Sequence, residues 1–153
     1  MAGLRVTKVR VELDSTWVYA VGVSMAAPRV NETTQAVMTR SMVLTPVRTG
    51  NLRSRHRKVM RARRTSVTGT VENRTKYAIY VHEGTKAHLI VARKKKALRW
   101  TEDGLVFFRR VVRHPGTKGR PFMRTALFEE APRRGFLVTG GARGTLIRQV
   151  FDG

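Results

Sequence analysis

The dipeptide Asp103-Gly104 constrains the fold more than any other feature, because it separates two short runs rich in apolar residues, 98–100 and 105–108. Both turn residues tolerate positive φ, which a two-residue turn between antiparallel strands requires. We therefore predict a long β-hairpin that extends from Leu98 to Val112.

Alternating polarity predicts further strands. Residues 7–13 alternate between uncharged and charged side chains, as a half-buried strand does. Residues 55–73 predict two strands joined by a turn at 63–66, and Val67, Gly69 and Val71 would share one face of the second strand. Residues 89–92 can add another strand, so the sheet is expected to be mainly antiparallel.

Prolines mark the boundaries of the predicted helices. One helix is expected to open at Pro28 and to end before Pro46, because proline suits a first helical turn and stops a helix that runs into it. Residues 77–83 form a short amphipathic stretch, and residues 14–27 combine helical spacing with β-branched content, which leaves their assignment open. Pro121 opens the last helix, whose predicted apolar side consists of Phe122, Met123, Ala126 and Leu127.

The chain of 153 residues fits one domain. The order of the elements predicts an α+β fold, with a mainly antiparallel sheet and a long β-hairpin packed against two or three helices. Beyond Pro132 the chain becomes rich in Gly and Arg. We therefore expect a single domain over residues 1–132 and a C-terminal tail over residues 133–153.

The charge balance indicates a polyanionic partner. Thirty-one Lys and Arg residues oppose ten Asp and Glu residues, for a formal net charge of +21, which attracts nucleic acid. No acid lies between Glu32 and Glu72, a stretch with nine cations. The residues expected to face DNA or an acidic partner are Arg53, Arg55, Arg57, Lys58, Arg61, Arg63, Arg64, Lys94, Lys95 and Lys96. No motif for reading bases accompanies them, so contact with phosphates of any sequence is expected, unless the charges only solvate a surface.

Enzymatic function has little support in the sequence, and we expect no enzyme, no cofactor and no metal site. Zero cysteines exclude thiolate chemistry. His82, Glu83 and His88 form the best metal-like cluster, but two histidines six residues apart do not share a helix face. The most apolar stretch, residues 17–27, is shorter than the ~20 residues needed to cross a bilayer, so no membrane partner is expected.

Three segments of the chain are similar to segments of a known family. Residues 45–54 (Thr-Pro-Val-Arg-Thr-Gly-Asn-Leu-Arg-Ser) resemble the Pro-x-x-Thr-Gly-x-Leu-Arg-x-Ser segment of siphophage neck and minor tail-component proteins. Residues 77–85 resemble the family's Tyr-Ala-x-Tyr-Val-x-x-Gly-Thr stretch, and residues 114–123 resemble its His-Pro-Gly-Thr loop, which leads into the last helix. The three motif segments follow in the family's order, within a region of about residues 28 to 128. Arg48 departs from the family, which usually has an acid before Thr-Gly.

The resemblance implies a structural subunit of a tailed bacteriophage at the head-tail joint, a neck, connector or tail-completion protein that is assembled in the host cytoplasm. Its implied partners are further copies of the chain in a ring, adjacent phage connector and tail proteins, and the genomic DNA that passes through the channel. The alternative is a small non-specific nucleic-acid-binding protein that acts alone. The residues expected to make turns and packing contacts, or else interface contacts, are Pro46, Thr49, Gly50, Leu52, Tyr77, Tyr80, Gly84, His114, Pro115, Gly116, Pro121 and Phe122.

Overall fold

The computed structural model describes residues 7–12, 15–64, 66–93, 96–141 and 144–148. Over these residues the strands are β1 (Thr7–Glu12), β2 (His56–Arg63), β3 (Ser66–Asn73), β4 (Gly84–Thr85), β5 (His88–Val91), β6 (Leu98–Glu102), β7 (Leu105–Arg109), β8 (Val111–His114), β9 (Thr117–Lys118), β10 (Leu137–Gly141) and β11 (Gly144–Arg148). The α-helices are α1 (Ser15–Leu44), α2 (Asn51–Ser54), α3 (Ala78–Glu83) and α4 (Phe122–Glu130), and a 3-10 turn follows α4 at Pro132–Arg134. The predicted α+β class is confirmed.

A three-stranded antiparallel sheet in the order β1-β3-β2 forms the centre of the fold. Val67 and Val71 of β3 are buried on the face that α1 covers, as their alternation predicted. A Cβ added to Gly69 would lie only 2.9 Å from Thr34 Cβ and closer still to its Oγ1. The absence of a side chain at Gly69 therefore lets α1 approach the sheet closely.

The helix expected to open at Pro28 begins earlier, so that prediction is wrong. Pro28 lies inside α1, whose two helical segments meet at Gly22, where φ is 79° and ψ is 156°. Because the chain re-enters helical geometry directly after Gly22, Pro28 falls within the second segment instead of opening it. The end of the helix is as predicted, since α1 stops at Leu44, before Pro46.

The hydrophobic core lies between the sheet and the helices α1 and α4. All four residues of the predicted apolar side of α4 are buried, and they pack with Val30 and Val37 of α1. Phe136 is only 2 % exposed and belongs to the same core cluster. The packed core therefore extends past the expected domain end at residue 132. The following β10 and β11 form an antiparallel pair, and β11 lies next to β1.

The predicted hairpin is confirmed over Leu98–Arg109, whereas Val111 and Val112, at its predicted end, pair with β5 instead. β6 and β7 pair across the turn at Asp103 and Gly104, which have φ values of 49° and 80°. β5 and β8 form a second antiparallel pair nearer the rest of the chain, and the Ala92 N–H donates to Arg110 O at 2.9 Å; residues 88–93 and 96–114 are here called the arm. Over the described residues these four strands make their main contacts with each other. None of the described helices is long and apolar enough to span a membrane.

Candidate functional site

The second and third motif segments meet at the root of the arm. Gly84 and Thr85 of β4 pair with Lys118 and Thr117 of β9, and the Arg120 N–H donates to Val81 O at 2.9 Å. The two backbones are so close that a Cβ on Gly84 would lie 2.6 Å from the nitrogen of Gly119. Backbone contact of this kind excludes side chains, which accounts for the glycines in both segments.

The first motif segment packs against the second. Gly50 has a φ of 78°, which permits the sharp turn into α2, and Leu52 is buried in the core. Asn51 Nδ2 donates a hydrogen bond to the Tyr77 hydroxyl at 3.0 Å. The buried Asn73 donates from Nδ2 to Leu52 O at 2.7 Å, which attaches the segment to the central strand β3. The motif segments therefore form one structural unit, although 22 residues separate the first from the second and 28 separate the second from the third.

Phe122 of the third segment packs in the interior against a histidine of β2 and a histidine of the second segment. Its ring contacts His56 and His82 edge-on, with centroid separations of 5.7 and 5.1 Å. Burial lowers the pKa of both histidines, although the hydrogen bond to Glu83 opposes this effect at His82. His82 Nδ1 lies 2.7 Å from Glu83 Oε1, which Arg124 also contacts, and His82 Nε2 has no hydrogen-bond partner in the described part of the chain. The neutral imidazole is therefore the form that fits this site.

An open groove of about 700 Å³ runs along the outer side of this unit. Its lining comes from all three motif segments and consists of Pro46, Tyr77, Tyr80, Val81, Thr85, Thr117, Lys118, Gly119 and Arg120. Tyr80 is 59 % exposed. Lys118 and Arg120 are exposed and have no carboxylate partner among the described residues. The groove therefore combines an aromatic and apolar floor with two unpaired positive charges.

Arginines form a second surface on the edge strand β2. Arg57, Arg61 and Arg63, here called the arginine stripe, occupy odd-numbered positions and are exposed on the face of the sheet that is directed away from α1. The hydroxyl-bearing Ser66 and Thr68 lie opposite Arg63 and Arg61 on β3. The buried Glu72 lies opposite Arg57 in the register, so the stripe has an acidic neighbour at one end. At 3.3 Å per residue the stripe is about 20 Å long, a length that spans several phosphates of one DNA strand.

The structure separates the other predicted cations from this stripe. Lys58 lies on the α1 side of β2, where its Nζ donates to Asn31 Oδ1 at 2.9 Å and to Gln35 Oε1 at 2.8 Å. Side chains alternate along a strand, so Lys58 cannot share a face with its neighbour Arg57. The other predicted cations are exposed elsewhere, Arg53 in α2, Arg55 and Arg64 at turns, and Lys96 on the arm. Lys94 and Lys95 lie outside the described residues.

The remaining motif residues lie at turns. Thr49 and Pro115 are exposed, and His114 Nδ1 accepts a hydrogen bond of 3.1 Å from the Gly116 N–H. Pro121 stands immediately before α4 as its N-terminal capping residue. The hydrogen bond of His114 and the capping position of Pro121 are local turn contacts.

The chemical groups of this region do not form a recognisable reactive set. His88 stacks near His114 on the arm while His82 is buried beside Phe122, so the structure gives the two histidines different surroundings. No group of three or more potential metal ligands occurs among the described residues. Ser41 Oγ lies 2.9 Å from His56 Nε2, but Ser41 is fully buried within the core side of α1, where a substrate cannot reach it.

Thr85, Lys118 and Arg120 belong to the motif segments, but no pattern in the sequence places them on one surface. Their position at the groove depends on the pairing of β4 with β9. The hydroxyls beside the arginine stripe could have been identified, since the alternation of β3 assigns Thr68 and Thr70 to the same face. Comparisons of this chain with protein-family models, with curated proteins and with solved structures give no match.

Proposed function

We propose that this chain is a structural protein of a tailed-bacteriophage virion, a ring-forming subunit at the head-tail joint that is assembled in the host cytoplasm. The observation that carries the proposal is the convergence of the three motif segments on one groove. Three segments that resemble one family would have no reason to share a surface if each resemblance arose by chance. Their convergence supports a common origin with neck and minor tail-component proteins.

The chemistry of the groove favours a binding surface over a reaction site. Exposed Tyr77 and Tyr80 supply large contact area at a small cost in side-chain entropy, which is why tyrosine is frequent in interfaces. The close backbone contacts between Gly84 and Gly119 keep the groove walls in position. A rigid groove with aromatic side chains suits the docking of a protein partner, either another copy or an adjacent connector or tail protein.

The arginine stripe supports a DNA-facing role within this proposal. Arg57, Arg61 and Arg63 form an exposed positive surface without base-reading elements, so they would contact the phosphates of passing genomic DNA irrespective of sequence. The same stripe favours a second candidate function, a non-specific nucleic-acid-binding protein that acts alone. Cations on an edge strand also prevent unwanted pairing with strands of other molecules. Because this role would explain the stripe without DNA, a measurement of DNA binding has to distinguish the two.

Particle composition tests the proposal directly. Phage particles released by a bacterium that carries the gene should contain the chain, detected by mass spectrometry after density-gradient purification. Deletion of the gene should yield DNA-filled heads and tails that fail to join, and expression of the chain in trans should restore joining. Absence of the chain from purified particles, together with normal joining in the deletion strain, would exclude the virion role and leave the second candidate.

A further inference from the structure

We infer that the tip of the arm of one copy docks into the groove at the root of the arm of a second copy. This inference rests on the proposed ring-forming function and names the surfaces through which the copies meet. The contact is heterologous, because tip and groove are different surfaces of the chain, and repeated contacts of this kind close into a ring or continue as a filament.

The arm exposes apolar surface that the chain itself does not cover. Phe108 is 64 % exposed, and the described residues of the arm pack mainly against each other. Its further exposed large apolar side chains are Leu89, Ile90, Val91, Leu105, Val106 and Val111. Apolar side chains concentrated on a projecting hairpin indicate a surface that another protein covers.

The charges of the tip and the groove are complementary. Glu102 and Asp103 are exposed at the tip, and neither pairs with a cation in the described part of the chain. Lys118 and Arg120 at the groove are likewise unpaired. The tip carries two acidic side chains although the chain as a whole has a net charge of +21. It would be repelled by DNA phosphates, but a basic groove attracts it.

The arm is comparable in length with the rest of the chain. Its strands β7 and β8, residues 105–114, correspond to about 30 Å at the rise of a strand. The rest of the chain is about 35 Å across by the scaling of domain radius with length. The exposed tip therefore lies at about one domain width along the chain from the arm root.

The side chains that line the groove complement the apolar and acidic side chains of the tip. Tyr77 and Tyr80 can pack against Leu105, Val106 or Phe108, while the two cations of the groove receive the carboxylates of the turn. Each copy carries both surfaces, so one kind of contact is sufficient for assembly. A second copy of this chain is therefore the occupant that fits the groove.

A charge-reversal experiment tests this contact. The tip variant carries Glu102→Lys and Asp103→Asn, since asparagine tolerates the positive φ of this turn, and the groove variant carries Lys118→Glu and Arg120→Glu. Wild-type protein should form oligomers, whereas each variant alone should have its self-association weakened by about a hundredfold, since like charges then oppose each other. An equimolar mixture of the two variants should assemble again, because each tip then meets a groove of opposite charge. Light scattering after size exclusion and native mass spectrometry measure the assembly.

The controls separate a specific contact from a general charge effect. Glu32→Lys reverses an exposed acid on α1, away from both surfaces, and should leave assembly unchanged. Circular dichroism checks that each variant folds. A monomeric wild-type protein, variants that assemble as the wild type does, or a mixture that stays dissociated would each overturn the inference. If the chain is absent from virions and the mixture nevertheless reassembles, the docking contact stands while the virion function fails.

Discussion

Replacement of the arginine stripe by glutamine should weaken DNA binding and make the affinity less dependent on salt concentration. The variant carries Arg57→Gln, Arg61→Gln and Arg63→Gln, three exposed residues of β2. Each phosphate that a cation neutralises contributes about −0.9 to the slope of log affinity against log salt concentration. The loss of three contacts should therefore make the slope shallower by about 2.7.

This change in slope corresponds to a large difference in affinity. For an approximately fourfold rise in salt, the wild-type protein should lose about fortyfold more affinity than the variant does. Fluorescence anisotropy with a labelled duplex, repeated over a salt series and with two unrelated sequences, measures both the slope and the lack of sequence preference. The variant should unfold at the same urea concentration as the wild type, since the replaced side chains are exposed on an edge strand.

A matched variant distinguishes the stripe from net charge. Arg124→Gln, Arg133→Gln and Arg134→Gln remove the same three charges from arginines that already contact Glu83 or Glu130. Because these arginines have carboxylate partners, their replacement should change the slope by less than about one. If both triple variants lose the same affinity, or the stripe variant keeps the wild-type slope, the stripe does not contact DNA and serves to protect an edge strand.

The other predictions concern the stability of the fold, each measured by urea unfolding. Gly69→Ala should destabilise the domain by about 1–3 kcal/mol, because the new methyl group overlaps Thr34, and Thr34→Ala should relieve part of this cost in the double variant. Phe136→Ala should cost about 3–5 kcal/mol whereas Phe128→Ala, at a 49 % exposed position, should cost much less, and equal effects would show that Phe136 lies outside the core. Burial lowers the pKa of His82 in the folded protein, so its stabilising contribution is complete above the ordinary imidazole pKa of about 6.5 and is lost as the pH falls below it. His82→Gln should flatten this pH dependence, and an unchanged profile would assign the acid sensitivity to other groups.

The proposed function depends on surfaces that come from separate parts of the sequence. The groove uses the loop after α1, helix α3 with its flanking residues, and the segment before α4, and the pairing of β4 with β9 holds the last two together. The arginine stripe lies on another surface, an edge strand of the central sheet. Protein docking and DNA contact could therefore occur at the same time, as a ring subunit around a DNA path requires.

Local sequence alone determined the turns and the amphipathic faces. Asp103-Gly104 specified the hairpin because the turn depends on the φ values of two adjacent residues. The apolar spacing of α4 and the alternation of β3 identified buried faces for the same reason, since side-chain direction follows from the backbone of one element. Pro46 correctly marked the region where α1 ends, but Pro28 gave the wrong start because helical geometry already resumes directly after Gly22, which places the proline inside the segment.

Only the tertiary structure decided which distant segments meet. No local pattern brings Thr85 beside Thr117, because that pairing depends on how α3, the arm and α4 pack as a whole. Phe136 belongs to the core for a similar reason: the chain after α4 turns back towards the sheet, and a glycine-rich composition did not reveal that return. Alternation along β2 already separates Lys58 from the arginine stripe, but only the position of α1 decides that the Lys58 side of the strand faces the helix. Local conformation follows from neighbouring residues, whereas a binding surface depends on the packing free energy of the whole domain.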